Sequence, residues 1–327
     1  MDAASLPTDD PVAPRPPGGP APSVTVVIAT RDRPALLRRA VESVLAQRYP
    51  GDVHVIAVFD QSDPEADLAH DGVGAGGAAR RVRVRANERT PGLAGARNTG
   101  ITAATGELVA FCDDDDLWLP GKLAAQAERL AAEPDLELVT TGVLVEARGK
   151  VSTRVLERDR ITHDELLRSR VSEAHPSTFL FRRSALVEGI GLVDEALPGS
   201  YAEDYDVLLR AARRHPVGVV TLPLAKVFWH RSSFFAERWQ TIVDALDHIL
   251  AAHPELATEP RGLARIEGQQ AFARASMHDR RGAWRTARRA LAHNRREPRA
   301  WLALAVASGA VRSEWVLRAL QATGRGI

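Results

Sequence analysis

Short apolar runs that stop at polar clusters, each followed by residues at helical spacing, constrain this chain most. Val24 to Ala29 reads "VTVVIA", a β-branched run suited to a strand buried on both faces. "TRDRP" then turns the chain. Leu36, Leu37, Ala40, Val41, Val44 and Leu45 follow at the spacing of a helix over Ala35 to Gln47. A second strand, Val53 to Phe59, stops at Asp60. A Gly/Ala-rich loop is expected over Asp71 to Ala79, and a third strand over Val82 to Ala86. "GLAGARNTGITAA" reads as a loop running into a helix, and Glu107 to Cys112 as the next strand. This repetition predicts an α/β fold, a mostly parallel mixed sheet with helices on both faces. Such sheets bind ligands beyond the carboxyl ends of their strands. Three polar clusters fall there: Thr30 to Arg33, Asp60 to Asp63, and Asp113 to Asp116.

The later segments extend the pattern and then leave it. Pro120 stands in the first turn of a helix over Lys122 to Ala132. "LELVTTGVLVEA" reads as a strand, Ile161 to Arg170 as a short helix, and Ser177 to Arg182 as a strand. Ala202 to His215 has the spacing of an amphipathic helix. "VGVVTL" and "AKVFWH" end the β pattern near His230. From Phe234 onward Arg, Ala and Leu dominate at helical spacing. The expected division is a disordered leader over 1-22, an α/β domain over 23-235, and an all-α region over 236-327. Ala271, Gly282, Ala283 and Ala290, with Pro298 after them, resemble a tetratricopeptide-like repeat; the alternative is a plain helical extension.

Bulk properties exclude several classes. A net charge of +1 argues against a dedicated nucleic-acid binder. The single cysteine, Cys112, excludes an internal disulfide framework and a multi-cysteine zinc site, and fits a reducing cytoplasm. No stretch has the length and apolarity of a transmembrane helix, and the first residues lack a signal-peptide pattern. A cytoplasmic protein is expected, with the inner face of the membrane as a candidate location. Arg280, Arg281, Arg285, Arg288, Arg289, Arg295 and Arg296 could meet an anionic membrane surface or a lipid diphosphate, or simply form a solvated helix face.

The chemistry concentrates in "FCDDDDLWLPGKL", Phe111 to Leu123. Adjacent unpaired carboxylates repel by about 1 kcal/mol per pair in water and several times that in a partly dry site. Helix capping ahead of Pro120 explains one of them, Asp116, but not four. An EF-hand fails, because its glycine and glutamate positions hold Trp118 and Ala124. A magnesium or manganese ion, held by one or two carboxylates and by substrate phosphates, fits the run better.

"ARNTGITAATGELVAFCDDDD" resembles the signature of the inverting family 2-type glycosyltransferases of GT-A fold: Ala-Arg-Asn-x-Gly, a helix, a Gly-Glu strand and an Asp-x-Asp motif. "VTVVIATRDRPALLRRAVESVLAQ" is similar to that family's opening strand, turn and helix. "SYAEDYDVLLRAAR" resembles its acceptor-side Glu-Asp helix, and "FWHRSS" its closing His segment. The similarity covers residues 22 to 235.

The resemblance implies an enzyme that moves a sugar from a nucleotide-diphosphate donor to an acceptor hydroxyl with inversion. It also implies a divalent cofactor, Mg2+ or Mn2+. Asp115 matches the last acid of the motif and would hold the metal; Asp113 matches the first and would lie near the ribose or the metal. Asp114 and Asp116 are secondary. Asp60 matches the acid that contacts the nucleobase. Thr30, Arg31 and Arg33 would flank the nucleotide, and Arg97 and Asn98 would shape its pocket; the alternative for the last two is a helix cap. Asp204 matches the acceptor-side base, with Glu203 assisting; the alternative is that both are helix-start acids beside Asp206. His230 corresponds to a residue near the diphosphate that helps the metal, and His175 falls where the acceptor pocket is lined. Trp118 and Trp229 are expected to pack.

The acceptor class stays open among glycans, lipid-linked molecules and small molecules. A sugar-1-phosphate nucleotidyltransferase is a second reading, but it wants a Gly-rich phosphate loop where this chain has "TRDRP". A non-catalytic nucleotide-sugar-binding module is a third.

Overall fold

The structure, a computed structural model, describes residues 20–229 and 238–322. The chain opens with β1 (Val24–Thr30), α1 (Pro34–Leu45), β2 (Val53–Phe59), β3 (His70–Val73), β4 (Ala79–Ala86) and α2 (Leu93–Ala103). It continues with β5 (Leu108–Phe111), β6 (Leu117–Trp118), α3 (Lys122–Ala132), β7 (Leu138–Ala147), β8 (Lys150–Arg154) and β9 (Arg160–Ile161). Then come α4 (His163–Arg168), β10 (Leu180–Arg182), α5 (Glu203–Arg214) and β11 (Val217–Phe228). Five helices follow: α6 (Trp239–Ala252), α7 (Pro260–Ser276), α8 (Arg280–His293), α9 (Pro298–Ala307) and α10 (Ser313–Ala322).

All the strands join one sheet in the order β3-β4-β2-β1-β5-β10-β7-β11-β6, with β8 on β7 and β9 on β11. β4, β2, β1 and β5 are parallel to one another, as are β7 and β11. β10 runs antiparallel between β5 and β7. Most of the paired length is parallel, and the helices cover both faces, as expected.

The reason lies in strand alternation. Val24, Val26 and Ile28 of β1 pack in one core with Leu37, Ala40, Val41 and Val44 of α1. Val27 enters the other core, with Ala94, Ala96 and Ile101 of α2. Gly100 lets α2 approach β1: a Cβ there would stand 2.3 Å from a methyl of Val27. β1 is therefore apolar on both faces apart from Thr25 and Thr30, and a buried Val or Ile contributes about 1.5–3 kcal/mol.

Several boundaries differ from expectation. The segment expected as a loop over Asp71 to Ala79 contains β3, an exposed edge strand whose polar residues carry no apolar signal. β8 is similarly exposed; it pairs with β7 through a turn at Arg148 and Gly149, both at positive φ. Ser177 to Arg182 is not one strand: a single 3-10 turn over Pro176–Thr178 precedes β10. The expected helix over Ile161 to Arg170 is shorter, because Thr162 caps α4 with Glu165 in a reciprocal box. "VGVVTL" and "AKVFWH" form one strand, β11, with register shifts around Pro223, which lacks a backbone donor.

Beyond residue 237, Ile242, Val243, Leu246, Ile249 and Ile266 join the core that covers α2 and α5. Ala271, Phe272, Ala283, Ala287, Ala290, Ala300 and Ala303 form a separate small core among α7, α8 and α9. Of the expected leader, residues 20–22 are described; the Tyr49 hydroxyl donates to the Pro22 carbonyl at 2.7 Å. Among the described residues no helix is long and apolar enough to cross a membrane.

Candidate active site

The three polar clusters meet at the carboxyl edge of the parallel strands. At the end of β1, the Thr30 hydroxyl donates to Asp114 at 2.7 Å. Arg33 reaches Asp114 at 3.2 Å and Asp115 at 3.1 Å. A cavity of about 270 Å³ opens beside them, lined by Thr30, Arg33, Leu37, Phe59 and Asp63 among others. At the end of β2, buried Asp60 accepts from the Asn87 amide at 2.9 Å, the Gly92 backbone N–H at 3.0 Å and the Gln61 amide at 2.9 Å. Burial pushes its carboxyl up, but these donors outweigh burial and hold it below the usual carboxylate range. Arg31 is half exposed, 3.7 Å from Asp32. Asp32 and Gln61 both hold positive φ, so the two strand ends carry backbone strain next to the cavity.

The four acids after β5 part company at once. The Asp116 N–H donates to the Asp113 carbonyl at 3.1 Å, and Asp113 and Asp116 come to one side. Asp114 and Asp115 go to Arg33. Asp113 accepts from Arg97 at 2.6 Å. Asp116, 2% exposed, has no arginine or lysine partner among the described residues. It accepts from the Ser177 hydroxyl at 2.5 Å, and the His175 Nδ1 lies 3.4 Å away. Burial, aided by Asp113, pushes the Asp116 carboxyl well above the usual range.

Ser177 organises this corner. Its hydroxyl also accepts from the Asp113 N–H at 3.0 Å, and its own N–H donates to His175 Nδ1 at 3.3 Å. One ligand atom each of Asp113, Asp116 and His175 lies within 4.8 Å of the others. Two carboxylate oxygens and an imidazole nitrogen suit a divalent cation. Burial lowers the pKa of His175, which keeps the ring in its neutral, ligating form.

The third wall is the start of α5. Ala202, at φ 64°, throws the chain into the helix, and three acids follow with three different partners. Buried Glu203 pairs with Arg97, whose other nitrogen holds Asp113. Burial pushes the Glu203 carboxyl up to about 7, while Arg97 pulls against it. Asp204 accepts from one Arg170 nitrogen, 2.7 and 2.6 Å from its two oxygens. Burial would raise its pKa, but Arg170 holds it below the usual carboxylate range. Asp206 turns away to His253 at 2.8 Å and Arg210 at 2.7 Å, where it ties α5 to the chain after α6.

Of the expected site residues, Thr30, Arg33, Asp114 and Asp115 form one hydrogen-bonded network, and Arg97, Asp113 and Glu203 form a second. Asp204 stands beside the second. Asn98 does not join: both amide hydrogens go to Val193 and Glu195, and its oxygen accepts from Val193. Asp115 is not among the converging ligand atoms; Asp116 and His175 are. His230 lies outside the described residues. Trp118 packs, as expected, with its indole N–H on the Ser177 carbonyl at 2.9 Å. Sequence reading missed Ser177 and Arg170. The only signal was their position, Ser177 within "HPSTFLF" and Arg170 before it, with no chemistry to mark them.

With this geometry, comparison with known proteins decides the family. Residues 25–189 match the model of glycosyl transferase family 2. The chain belongs to glycosyl transferase family 2. The succinoglycan biosynthesis protein ExoO of Rhizobium meliloti (strain 1021) is 38% identical over 111 residues, 34% of this chain and 30% of its own. The chain spans only 21% to 55% of the length of the first three curated relatives it matches. Among solved structures, S. aureus TarS 1-349 in complex with UDP-GlcNAc aligns with a TM-score of 0.58 at 16% identity. That alignment covers 88% of this chain and 91% of TarS 1-349. The mannosyltransferase PcManGT of Pyrobaculum calidifontis, in complex with GDP-Man and Mn2+, aligns with a TM-score of 0.52 at 20% identity, covering 95% and 87%. These likenesses establish the GT-A fold.

Proposed function

We propose that this chain is an inverting glycosyltransferase that moves a sugar from a nucleotide-diphosphate donor to an acceptor hydroxyl. The observation that carries the reading is the Arg97 bridge, which joins the acidic run at Asp113 to the α5 acids at Glu203. It ties a cation-binding corner to a carboxylate wall. The TarS and PcManGT structures, with UDP-GlcNAc and with GDP-Man and Mn2+, lend support.

In this reading Asp60 meets the nucleobase, and Thr30, Arg31 and Arg33 flank the nucleotide beside the cavity. Asp113, Asp116 and His175 would hold a divalent ion, with Asp115 next to it. When bound, that ion neutralises the charge that develops on the departing nucleoside diphosphate. Asp204 takes the proton of the attacking hydroxyl, on the face of the sugar opposite the leaving group. Arg170 keeps Asp204 ionised and oriented. Glu203 acts through Arg97, which fixes Asp113. The acceptor belongs to polysaccharide, glycolipid or other glycoconjugate synthesis, in keeping with the name of the succinoglycan relative. The same reading keeps 23-235 as the transferase unit and 236-327 as a helical, tetratricopeptide-like region, at the cytoplasmic side of the membrane.

A thermal-shift screen of nucleotide sugars, with and without manganese, tests the proposal. Metal-dependent stabilisation by one donor is expected. No stabilisation by any donor in the presence of manganese overturns it.

A further inference from the structure

Three of the chain's six tryptophans stand on its last three helices with their rings in solvent. Trp284 on α8 is 45% exposed, Trp301 on α9 55% and Trp315 on α10 61%. The same helices bury alanines in the small core they share with α7. Single exposed apolar residues are ordinary; a tryptophan on each of three consecutive helices asks for a partner.

Each ring is set among arginines. On α8, Arg280 and Arg281 lie one turn before Trp284, and Arg288 lies one turn after it. All four are exposed and stand off the buried stripe of Ala283, Ala287 and Ala290. On α10, Arg312 and Arg318 flank Trp315 three residues to either side, and both are exposed. Trp301 donates its indole N–H to the Arg295 carbonyl at 2.9 Å, which holds its ring against the turn between α8 and α9. Their neighbours Arg289 and Arg299 have carboxylate partners, but these six arginines have none among the described residues. Residues 280–322 carry ten arginines against two glutamates, Glu297 and Glu314, and α8 has no acid at all. The whole chain nets only +1, so the remainder of it is acidic.

A solvated helix face does not need this pattern. It gains from acids placed one turn from the arginines, and tryptophan adds nothing to it. A bilayer with anionic lipids uses both residue types. Indole rings settle at the level of the headgroups. Arginine stems lie along apolar surface while their guanidinium groups reach the phosphates. An acidic protein would call for one contiguous apolar patch with a polar rim. Here the rings come one to a helix, each flanked by cations, which suits a continuous anionic surface.

We propose that α8, α9 and α10 dock this protein on an anionic bilayer through Trp284, Trp301 and Trp315 and the arginines around them. The face shares no residue with the candidate active site, so it stands or falls independently of the transferase reading.

The test is co-sedimentation of the full chain with lipid vesicles. The wild type should pellet with equal parts phosphatidylglycerol and phosphatidylcholine, and stay in solution with phosphatidylcholine alone. Trp284→Ala/Trp315→Ala and Arg281→Gln/Arg288→Gln should each bind the anionic vesicles about tenfold more weakly. Arg81→Gln/Arg85→Gln removes the same charge from exposed positions of β4 and should bind as the wild type does. All these positions are exposed, and melting temperatures check that each variant is folded. If the tryptophan pair does not fold, the arginine pair carries the test.

No pelleting of the wild type with anionic vesicles overturns the proposal. Wild-type affinity in the folded tryptophan variant leaves only diffuse charge attraction and overturns it too, as does an equal loss in the β4 variant. Tryptophan-dependent binding of poly-glutamate in place of vesicles would assign the face to an acidic protein instead. The nucleotide-sugar screen reads the donor side separately, so its failure would count against the transferase reading and leave the vesicle result standing.

Discussion

A single nitrogen of Arg170 spans both oxygens of Asp204, at 2.7 and 2.6 Å. This fixes the plane of the carboxylate and favours its charged form, yet each oxygen retains a lone pair to receive a proton. Arg170 lowers the Asp204 pKa, so its removal raises it. In Arg170→Gln the acid limb of donor turnover should move to higher pH, read from kcat/KM against pH. Stability follows the same sign. With its folded pKa depressed, Asp204 contributes stability above its unfolded pKa, and that contribution is lost as pH falls through the folded value. The variant should lose this dependence in denaturant unfolding as pH falls from about 5 through the ordinary carboxylate pKa of about 3.9 and below it.

Ser177 touches all three members of the candidate metal group: Asp113, Asp116 and His175. Ser177→Ala removes the hydroxyl that accepts from the Asp113 backbone N–H and donates to the Asp116 carboxylate. Supporting groups of this kind are worth about tenfold to a hundredfold in metal affinity. Manganese titration should show a loss in that range, with destabilisation of about 1–3 kcal/mol by urea unfolding.

The acidic run makes a sharper prediction about register. Asp116→Asn and His175→Ala should each abolish the manganese-dependent rise in melting temperature. Asp115→Asn should leave most of it, because Asp115 lies outside the converging atoms and faces Arg33. The reverse order would restore Asp115 to the role that the family motif implies.

Lys122 tests the ground beneath the site. It is fully buried, bonds Gln126 at 2.7 Å and lies 3.8 Å from the Trp118 ring centre. Gln126 in turn donates to the Thr178 carbonyl, beside Ser177. Burial pushes the Lys122 pKa down to about 7. The folded state therefore releases its proton earlier than the unfolded chain does. Stability should rise with pH from about 7 toward the ordinary lysine pKa of about 10.4. Lys122→Met should flatten this rise and leave the protein at least as stable at pH 7, measured by urea unfolding across that range.

What could be read in advance, and what could not, divides along physical lines. β1 and β2 were legible because strands buried on both faces are apolar at most positions, with only Thr25, Thr30 and His54 polar here. β3 and β8 were not, since exposed edge strands carry no such mark. The position of the acidic run was legible from local charge repulsion, but its division was not. A turn from Asp113 to Asp116 selects the pair, and only tertiary structure supplies His175 and Ser177. The acids of α5 pose the same problem. Glu203, Asp204 and Asp206 look alike in sequence, and their partners Arg97, Arg170 and His253 come from three distant segments.

The central claim is that Asp204 takes the proton of the acceptor hydroxyl. The direct test is nucleoside-diphosphate release by Asp204→Asn, with the donor that the screen selects. The account predicts a loss in kcat of about a hundredfold to ten-thousandfold with donor affinity unchanged. Turnover within a few-fold of the wild type, or loss of donor binding in step with turnover, would contradict it.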